Sequence, residues 1–141
     1  MLLDANVLLY AVDASSTHHQ KTARWLTQQL AGTRRVAFPW QSLVAFLRIS
    51  THPRAARRPL TPDQAWGFVA EWLDADVAWT PTPTELHARI LSGLIATYQL
   101  RGNLVSDAEL AALAIEHGLT VCSADSDFAR FREVVWLDPT R

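Results

Sequence analysis

Short apolar runs alternate along this chain with longer segments of helical periodicity. The short runs have the length and composition of buried strands. The segments between them carry apolar residues at spacings of three and four, which is typical of helices with one buried face. Strands separated by helices require crossover connections, so we predict an α/β sandwich with a central, largely parallel sheet. The predicted strands lie at residues 1–3, 36–38, 119–122 and 134–136.

Length and composition predict one domain spanning residues 1–141, because 49% of the residues are apolar and only 19% are charged. The single cysteine, Cys122, excludes an internal disulfide and favours a reducing cytoplasm; we expect it to fill a buried strand. The apolar N-terminus contains Asp4 and lacks a basic lead-in, unlike a signal peptide. No apolar run reaches the roughly 20 residues that span a bilayer, so we expect no membrane role.

Two sequence motifs predict helix starts. Thr61-Pro62-Asp63-Gln64 and Thr82-Pro83-Thr84-Glu85 both match a capping box with proline at the first helical position. A further helix is predicted from Asp107 to His117, closed by Gly118. The predicted core-facing residues are Trp66, Val69, Ala70 and Leu73 in the first helix and Leu86, Ile90, Leu91, Leu94, Ile95 and Tyr98 in the second.

Three aspartates stand where ligands bind in an open parallel sheet, outside the carboxyl ends of the strands. Asp4 follows the first strand, Asp107 opens a helix, and Asp125 follows a later strand. Carboxylates that converge oppose one another's ionisation, and a hard divalent cation such as Mg²⁺ or Mn²⁺ removes the conflict. The arrangement therefore predicts metal-assisted chemistry on phosphodiesters.

Four segments carry a resemblance to a known family. They are the Leu3-Asp4-Ala5-Asn6 start, Phe46-Leu47-Arg48 followed by His52-Pro53, the Asp107-Ala108 pair, and Ser123 to Phe128. Over nearly its whole length the chain resembles PIN-domain ribonucleases of the VapC toxin type. The resemblance implies a PIN-like three-layer α/β/α sandwich and an Mg²⁺- or Mn²⁺-dependent endoribonuclease. It also implies a homodimer that a VapB-type antitoxin silences.

The resemblance also implies roles for individual residues. Asp4 and Asp107 match the two most dependable metal positions, and Asp125 and Asp127 together match the third. We favour Asp125 because it stands nearer the strand end, with Asp127 as an alternative cap of a short helix at Phe128. Asn6 is expected to fix Asp4 through a hydrogen bond. The expected catalytic residues are thus Asp4, Asp107 and Asp125, and the expected metal ligands are these three and Asp127.

One departure from the family pattern lies at Ala45, where many members carry a glutamate. Neither Glu109 nor Glu116 replaces it, since their helical offsets from Asp107 point them elsewhere. An alternative function is therefore an RNA- or antitoxin-binding module with weak or no nuclease activity. A phosphatase with Asp4 as nucleophile is disfavoured, because Asn6 stands where that chemistry normally needs a second aspartate.

Basic and aromatic residues offer a further surface for RNA. The segment 48–58 has four arginines and a histidine without an acid, which predicts either a phosphate-binding patch or a solvated loop. Either Trp40 or Trp79 could stack on an unpaired base, although core or interface roles are the general expectation for tryptophans. We expect surface or capping roles for His18, His19, His87 and His117. The basic candidates are Arg48, His52, Arg54, Arg57 and Arg58, with Arg101, Arg130 and Arg132 in addition.

Overall fold

The computed structural model describes residues 1–141 and contains five short strands and six α-helices. The strands are β1 (Leu2–Leu3), β2 (Val36–Ala37), β3 (Ala78–Trp79), β4 (Val121–Cys122) and β5 (Trp136–Leu137). The helices are α1 (Ala5–Val12), α2 (His19–Leu30), α3 (Trp40–Ser50), α4 (Pro62–Asp74), α5 (His87–Tyr98) and α6 (Asn103–His117). A 3₁₀-helix covers Ser126–Arg130. None of the helices is both long and apolar enough to span a membrane.

The strands form one sheet in the order β3-β2-β1-β4-β5, and every neighbouring pair is parallel. Successive side chains of a strand point to opposite faces. Leu2 therefore packs in a core with α5 and α6, whereas Leu3 packs in a second core with α1 to α4. This confirms the predicted three-layer α/β/α sandwich. Cys122 is buried in β4, and burial raises the pKa of its thiol to about 12.

Two predicted helix starts are wrong. The motif at Thr82 is not a cap, since α5 begins only at His87. The backbone N–H of Thr84 instead donates to Glu116 Oε1 at 2.9 Å, and this long-range contact holds the segment outside the helix. Helix α6 begins four residues earlier than predicted, after Gly102 with φ +59°. Asp107 therefore lies in the second turn of α6 and not at its start.

The capping box at Thr61 is confirmed, with Gln64 N donating to Thr61 Oγ1 at 3.2 Å and Thr61 N donating to Gln64 Oε1 at 3.0 Å. The predicted buried face of α4 is partly wrong, because Trp66 and Ala70 are exposed. Leu86 is also exposed and precedes α5. The last strand begins two residues later and ends one residue later than predicted, and β3 was not predicted. The buried residues of α4 are Ala65, Val69 and Trp72.

Candidate metal centre

Asp4 stands at the junction of β1 and α1 and is held by three hydrogen bonds. Its extended backbone makes it the N-cap of α1, and its Oδ1 accepts from Ala5 N at 2.7 Å. Its Oδ2 accepts from Asn6 Nδ2 at 3.1 Å and from Ser123 Oγ at 2.7 Å. The predicted hydrogen bond between Asn6 and Asp4 is therefore confirmed. Burial raises the pKa of Asp4, and the hydrogen bonds from Ser123 and Ala5 oppose that rise.

Ser123 links the residues that follow β1 to the residues that follow β4. It directly follows β4, the neighbour of β1, and is fully buried. Its Oγ accepts from Asn6 Nδ2 and from Asp125 N, both at 3.0 Å. Since both of these groups are donors, the single hydroxyl hydrogen is directed to Asp4. Sequence reasoning did not single out Ser123; its position at a strand exit, two residues before Asp125, was the available signal.

Three carboxylates meet beside this network. Asp107, Asp125 and Asp127 each place one carboxylate oxygen within 4.8 Å of the others, and all three are half-buried. Asp125 is the N-cap of the 3₁₀-helix, because its Oδ1 accepts from Asp127 N at 2.8 Å. The alternative expectation that Asp127 caps this helix is thus wrong. Asp127 instead pairs with Arg130 through a 2.8 Å contact.

The three carboxylates that meet most closely all belong to the four expected metal ligands, and the fourth, Asp4, lies outside this group of three. Asp4 is connected to it through Ser123, which bonds both Asp4 and the backbone of Asp125. Burial and the negative charges of Asp125, Asp4 and Asp127 raise the pKa of Asp107 to about 6. The negative charge of Asp4 therefore contributes to the raised pKa of Asp107, although Asp4 lies outside the group of three.

The fold and this geometry agree with comparisons to known proteins. The PIN domain family profile matches residues 1–134. The chain belongs to the PIN-domain family. It is 46% identical over 138 residues to Ribonuclease VapC37 of Mycobacterium tuberculosis, covering 98% of this chain and 96% of that protein. The resemblance to VapC-type PIN domains is therefore confirmed.

Two solved structures share the PIN fold at low sequence identity. VapBC-1 from nontypeable Haemophilus influenzae superposes with a TM-score of 0.71 at 15% identity, covering 99% of this chain and 98% of that one. A toxin-antitoxin complex from Klebsiella pneumoniae gives a TM-score of 0.63 at 15% identity, covering 98% and 96% of the two chains. At these identities the likeness concerns the fold.

Ala45 lies on α3 of this PIN domain, on the same face of the helix as Gln41. Gln41, one helical turn earlier, donates from Nε2 to the carbonyl of Ser106 at 3.1 Å, next to Asp107. Ala45 is half-buried and brings no carboxylate to this edge. A glutamate at position 45 would place its carboxylate on the same side of α3 as the Gln41 side chain.

Glu109 and Glu116 point away from the acidic group, as expected. His87 of α5 lies between them, with Nδ1 3.0 Å from Glu116 Oε2 and Nε2 3.4 Å from Glu109 Oε1. Burial raises the pKa of Glu109, and the contact with His87 opposes this rise. The surface or capping role expected for His87 is wrong, because its side chain is only 16% exposed and contacts Glu116 of α6 instead of capping a helix. The cluster joins α5 to α6.

The other predicted RNA contacts are dispersed in the PIN domain. Arg54, Arg57 and Arg58 are exposed in the loop between α3 and α4. Arg130 is the predicted basic candidate that contacts the acidic group. Trp79 is half-buried and the Arg35 guanidinium covers one face of its ring at 4.4 Å, so Arg35 must move before a base stacks there. The Trp40 side chain is 45% exposed.

Proposed function

We propose that this chain is a metal-dependent endoribonuclease, the toxin component of a VapBC-type module, which hydrolyses phosphodiester bonds of RNA. The observation that carries the proposal is the meeting of Asp107, Asp125 and Asp127 within 4.8 Å at the carboxyl edge of the sheet. A relative with 46% identity that is named a ribonuclease supports the choice of RNA as substrate.

The donor set fits a hard divalent cation such as Mg²⁺ or Mn²⁺. It consists of carboxylate oxygens, and burial together with their mutual repulsion raises the pKa of Asp107. We assign Asp107 and Asp125 as ligands, with Asp4 completing the set, because Arg130 engages Asp127. A divalent ion held there supplies Lewis acidity toward the phosphodiester and lowers the pKa of a water nucleophile.

The surrounding residues keep these carboxylates ordered. Ser123 and Asn6 both donate to Asp4 Oδ2, which fixes the orientation of that carboxylate and favours its charged form. Asp125 is fixed by its bond to the backbone of Asp127. The network therefore positions two carboxylates from different strands before substrate binds.

Cleavage of RNA by the purified protein with Mg²⁺ or Mn²⁺ tests the proposal. Asp4→Asn and Asp107→Asn should each abolish most cleavage, while Asp76→Asn, an exposed loop carboxylate, serves as the matched control. Asp125→Asn should reduce cleavage more than Asp127→Asn. Undiminished cleavage in both Asp4→Asn and Asp107→Asn would refute the assignment.

A second candidate function is RNA or antitoxin binding without cleavage, and Ala45 favours it, because α3 contributes no carboxylate to the site. Calorimetric titration with Mg²⁺ and Mn²⁺ separates the two functions. Binding at millimolar metal that disappears in Asp107→Asn supports the nuclease, and absence of binding supports the alternative.

We also propose a VapB-type antitoxin and a second copy of this chain as partners. An apolar groove of about 660 Å³ between α1 and the end of α3 offers a surface for the antitoxin, and Ser50 in its lining has a buried hydroxyl without a partner. Ile49→Glu, which places a charge in the groove, should prevent complex formation with the antitoxin while RNA cleavage persists. Sedimentation velocity tests the homodimer.

A further inference from the structure

The exposed surface of α3 begins beside the acidic group. The register of the parallel strands β1 and β2 places Leu2 opposite Ala37. Asp4, which follows β1, and Pro39, which follows β2, therefore lie at the same level of the sheet. Trp40 follows immediately, and Gln41 is bonded to the carbonyl that precedes Asp107. The start of α3 is therefore fixed next to the carboxylates from two directions.

Three exposed residues form a stripe along α3. Trp40, Val44 and Arg48 are spaced four residues apart, which places them on one side of the helix. Trp40 and Val44 are 45% and 55% exposed, although large apolar side chains are usually buried. At 1.5 Å per residue the stripe is about 12 Å long. It has an aromatic ring at the end near the site and a cation at the other.

The charge of this part of the chain favours a polyanion as its occupant. Residues 14–62 contain eight lysines and arginines and no aspartate or glutamate, although the whole chain has a net charge of −1. Helix α3 lies inside this segment. A positively charged, aromatic surface is the usual combination for unpaired nucleic acid, in which bases stack on rings and phosphates contact cations.

We infer that the Trp40–Val44–Arg48 stripe is the track for single-stranded RNA on one side of the bond that is cleaved. Trp40 stacks on an unpaired base, and Arg48 contacts a phosphate. This inference rests on the proposed function, because it names how the substrate of that site is held. It makes Trp40 a substrate-positioning residue.

Binding of a fluorescein-labelled single-stranded RNA of mixed sequence, measured by anisotropy in EDTA, tests the track without cleavage. Trp40→Ala should weaken binding by roughly 5- to 100-fold, whereas Trp40→Phe, which keeps a ring, should lose much less. Trp66→Ala is the matched control, since Trp66 is 50% exposed on α4. Arg48→Gln should reduce the slope of log affinity against log salt by about 0.7.

An abasic scan of the same RNA identifies the stacked base. One abasic position should weaken binding to the wild type and leave binding to Trp40→Ala unchanged. Equal RNA affinity of Trp40→Ala and Trp66→Ala would overturn the track. So would a Trp40→Ala variant whose dimer dissociates while RNA affinity is retained, since a second copy would then cover the stripe.

The two proposals fail in different ways. A wild type that cleaves RNA with Mn²⁺ but binds it independently of Trp40 retains the nuclease and loses the track. If the wild type binds RNA through Trp40 but does not cleave it with either Mg²⁺ or Mn²⁺, the track stands as a binding surface and the metal-dependent nuclease activity is refuted.

Discussion

The Ser123 hydroxyl donates a 2.7 Å hydrogen bond to Asp4 Oδ2 across a separation of 119 residues. Ser123 Oγ also accepts hydrogen bonds from Asn6 Nδ2 and from Asp125 N. One buried hydroxyl therefore fixes both the carboxylate after β1 and the loop after β4. Removing this hydroxyl should therefore disturb both parts of the site, although only one oxygen atom is lost.

We expect Ser123→Ala to lower the free energy of unfolding by about 1–3 kcal/mol, because two donors lose their acceptor in a buried site. RNA cleavage at limiting Mn²⁺ should fall by roughly 10- to 100-fold, since Asp4 loses its orienting partner. Urea unfolding and cleavage at several Mn²⁺ concentrations measure both effects. Ser92→Ala is the control, because that exposed hydroxyl bonds only the Arg89 carbonyl of its own helix. Unchanged cleavage would contradict the role of Ser123.

The pKa of Asp107 predicts how metal-free stability depends on pH. Burial and nearby charges raise that pKa from 3.8 to about 6 on folding. Between these values the folded protein binds more protons than the unfolded chain, so stability falls as pH rises from about 4 to about 6. In EDTA at pH 7.5, Asp107→Asn should therefore melt a few degrees above the wild type, with the difference shrinking toward pH 4. An Asp107→Asn protein that melts below the wild type at pH 7.5 would contradict this.

Restoring a carboxylate on α3 should strengthen the metal site. Ala45→Glu adds an acidic side chain beside Gln41, on the surface that adjoins Asp107. We expect Mn²⁺ affinity to rise roughly tenfold, because carboxylate number tunes the affinity of hard cations. Calorimetry measures the change, and Val44→Glu, on the exposed side of α3, is the control. Equal gains in both variants would indicate general electrostatics rather than a ligand.

Substitutions in the two capping-box motifs should have different effects on the free energy of unfolding, although the motifs are similar in sequence. Thr61→Ala removes a hydrogen bond to Gln64 N at the start of α4 and should cost about 1 kcal/mol. Thr82→Ala should leave stability nearly unchanged, because Thr82 is exposed and caps no helix. Urea unfolding of both variants measures the difference, and equal losses would contradict the observed start of α5.

The same pair of motifs shows how far the sequence predicts this fold. Local chemistry is sufficient at Thr61, where the helix start depends only on residues within the motif. At Thr84 a contact with Glu116, 32 residues away, decides the backbone, and no local pattern contains it. Strand β3 was not predicted, although Val77-Ala78-Trp79 is an apolar run as long as Val36-Ala37-Phe38. Ala78 and Trp79 are only half-buried at the sheet edge, and their pairing with β2 is a tertiary contact.

The candidate site was predictable in its residue types and less so in its contacts. Strand exits indicated Asp4 and Asp125, because parallel strands bring their carboxyl ends to one edge. Which carboxylates approach most closely depends on the turn after Ser123 and on the early start of α6. These are tertiary features, so the sequence indicated the neighbourhood of the metal centre and not its arrangement.

The site also depends on the last strand. Trp136 Nε1 donates to the carbonyl of Ser123 at 2.8 Å, so a residue beyond the matched PIN region supports the residue that orients Asp4. Ser123 follows Asp4 by 119 residues, so it leaves the ribosome well after Asp4. A nascent chain therefore has no assembled acidic centre until β4 and the loop after it have emerged, which delays any nuclease activity until that part of the chain has been made.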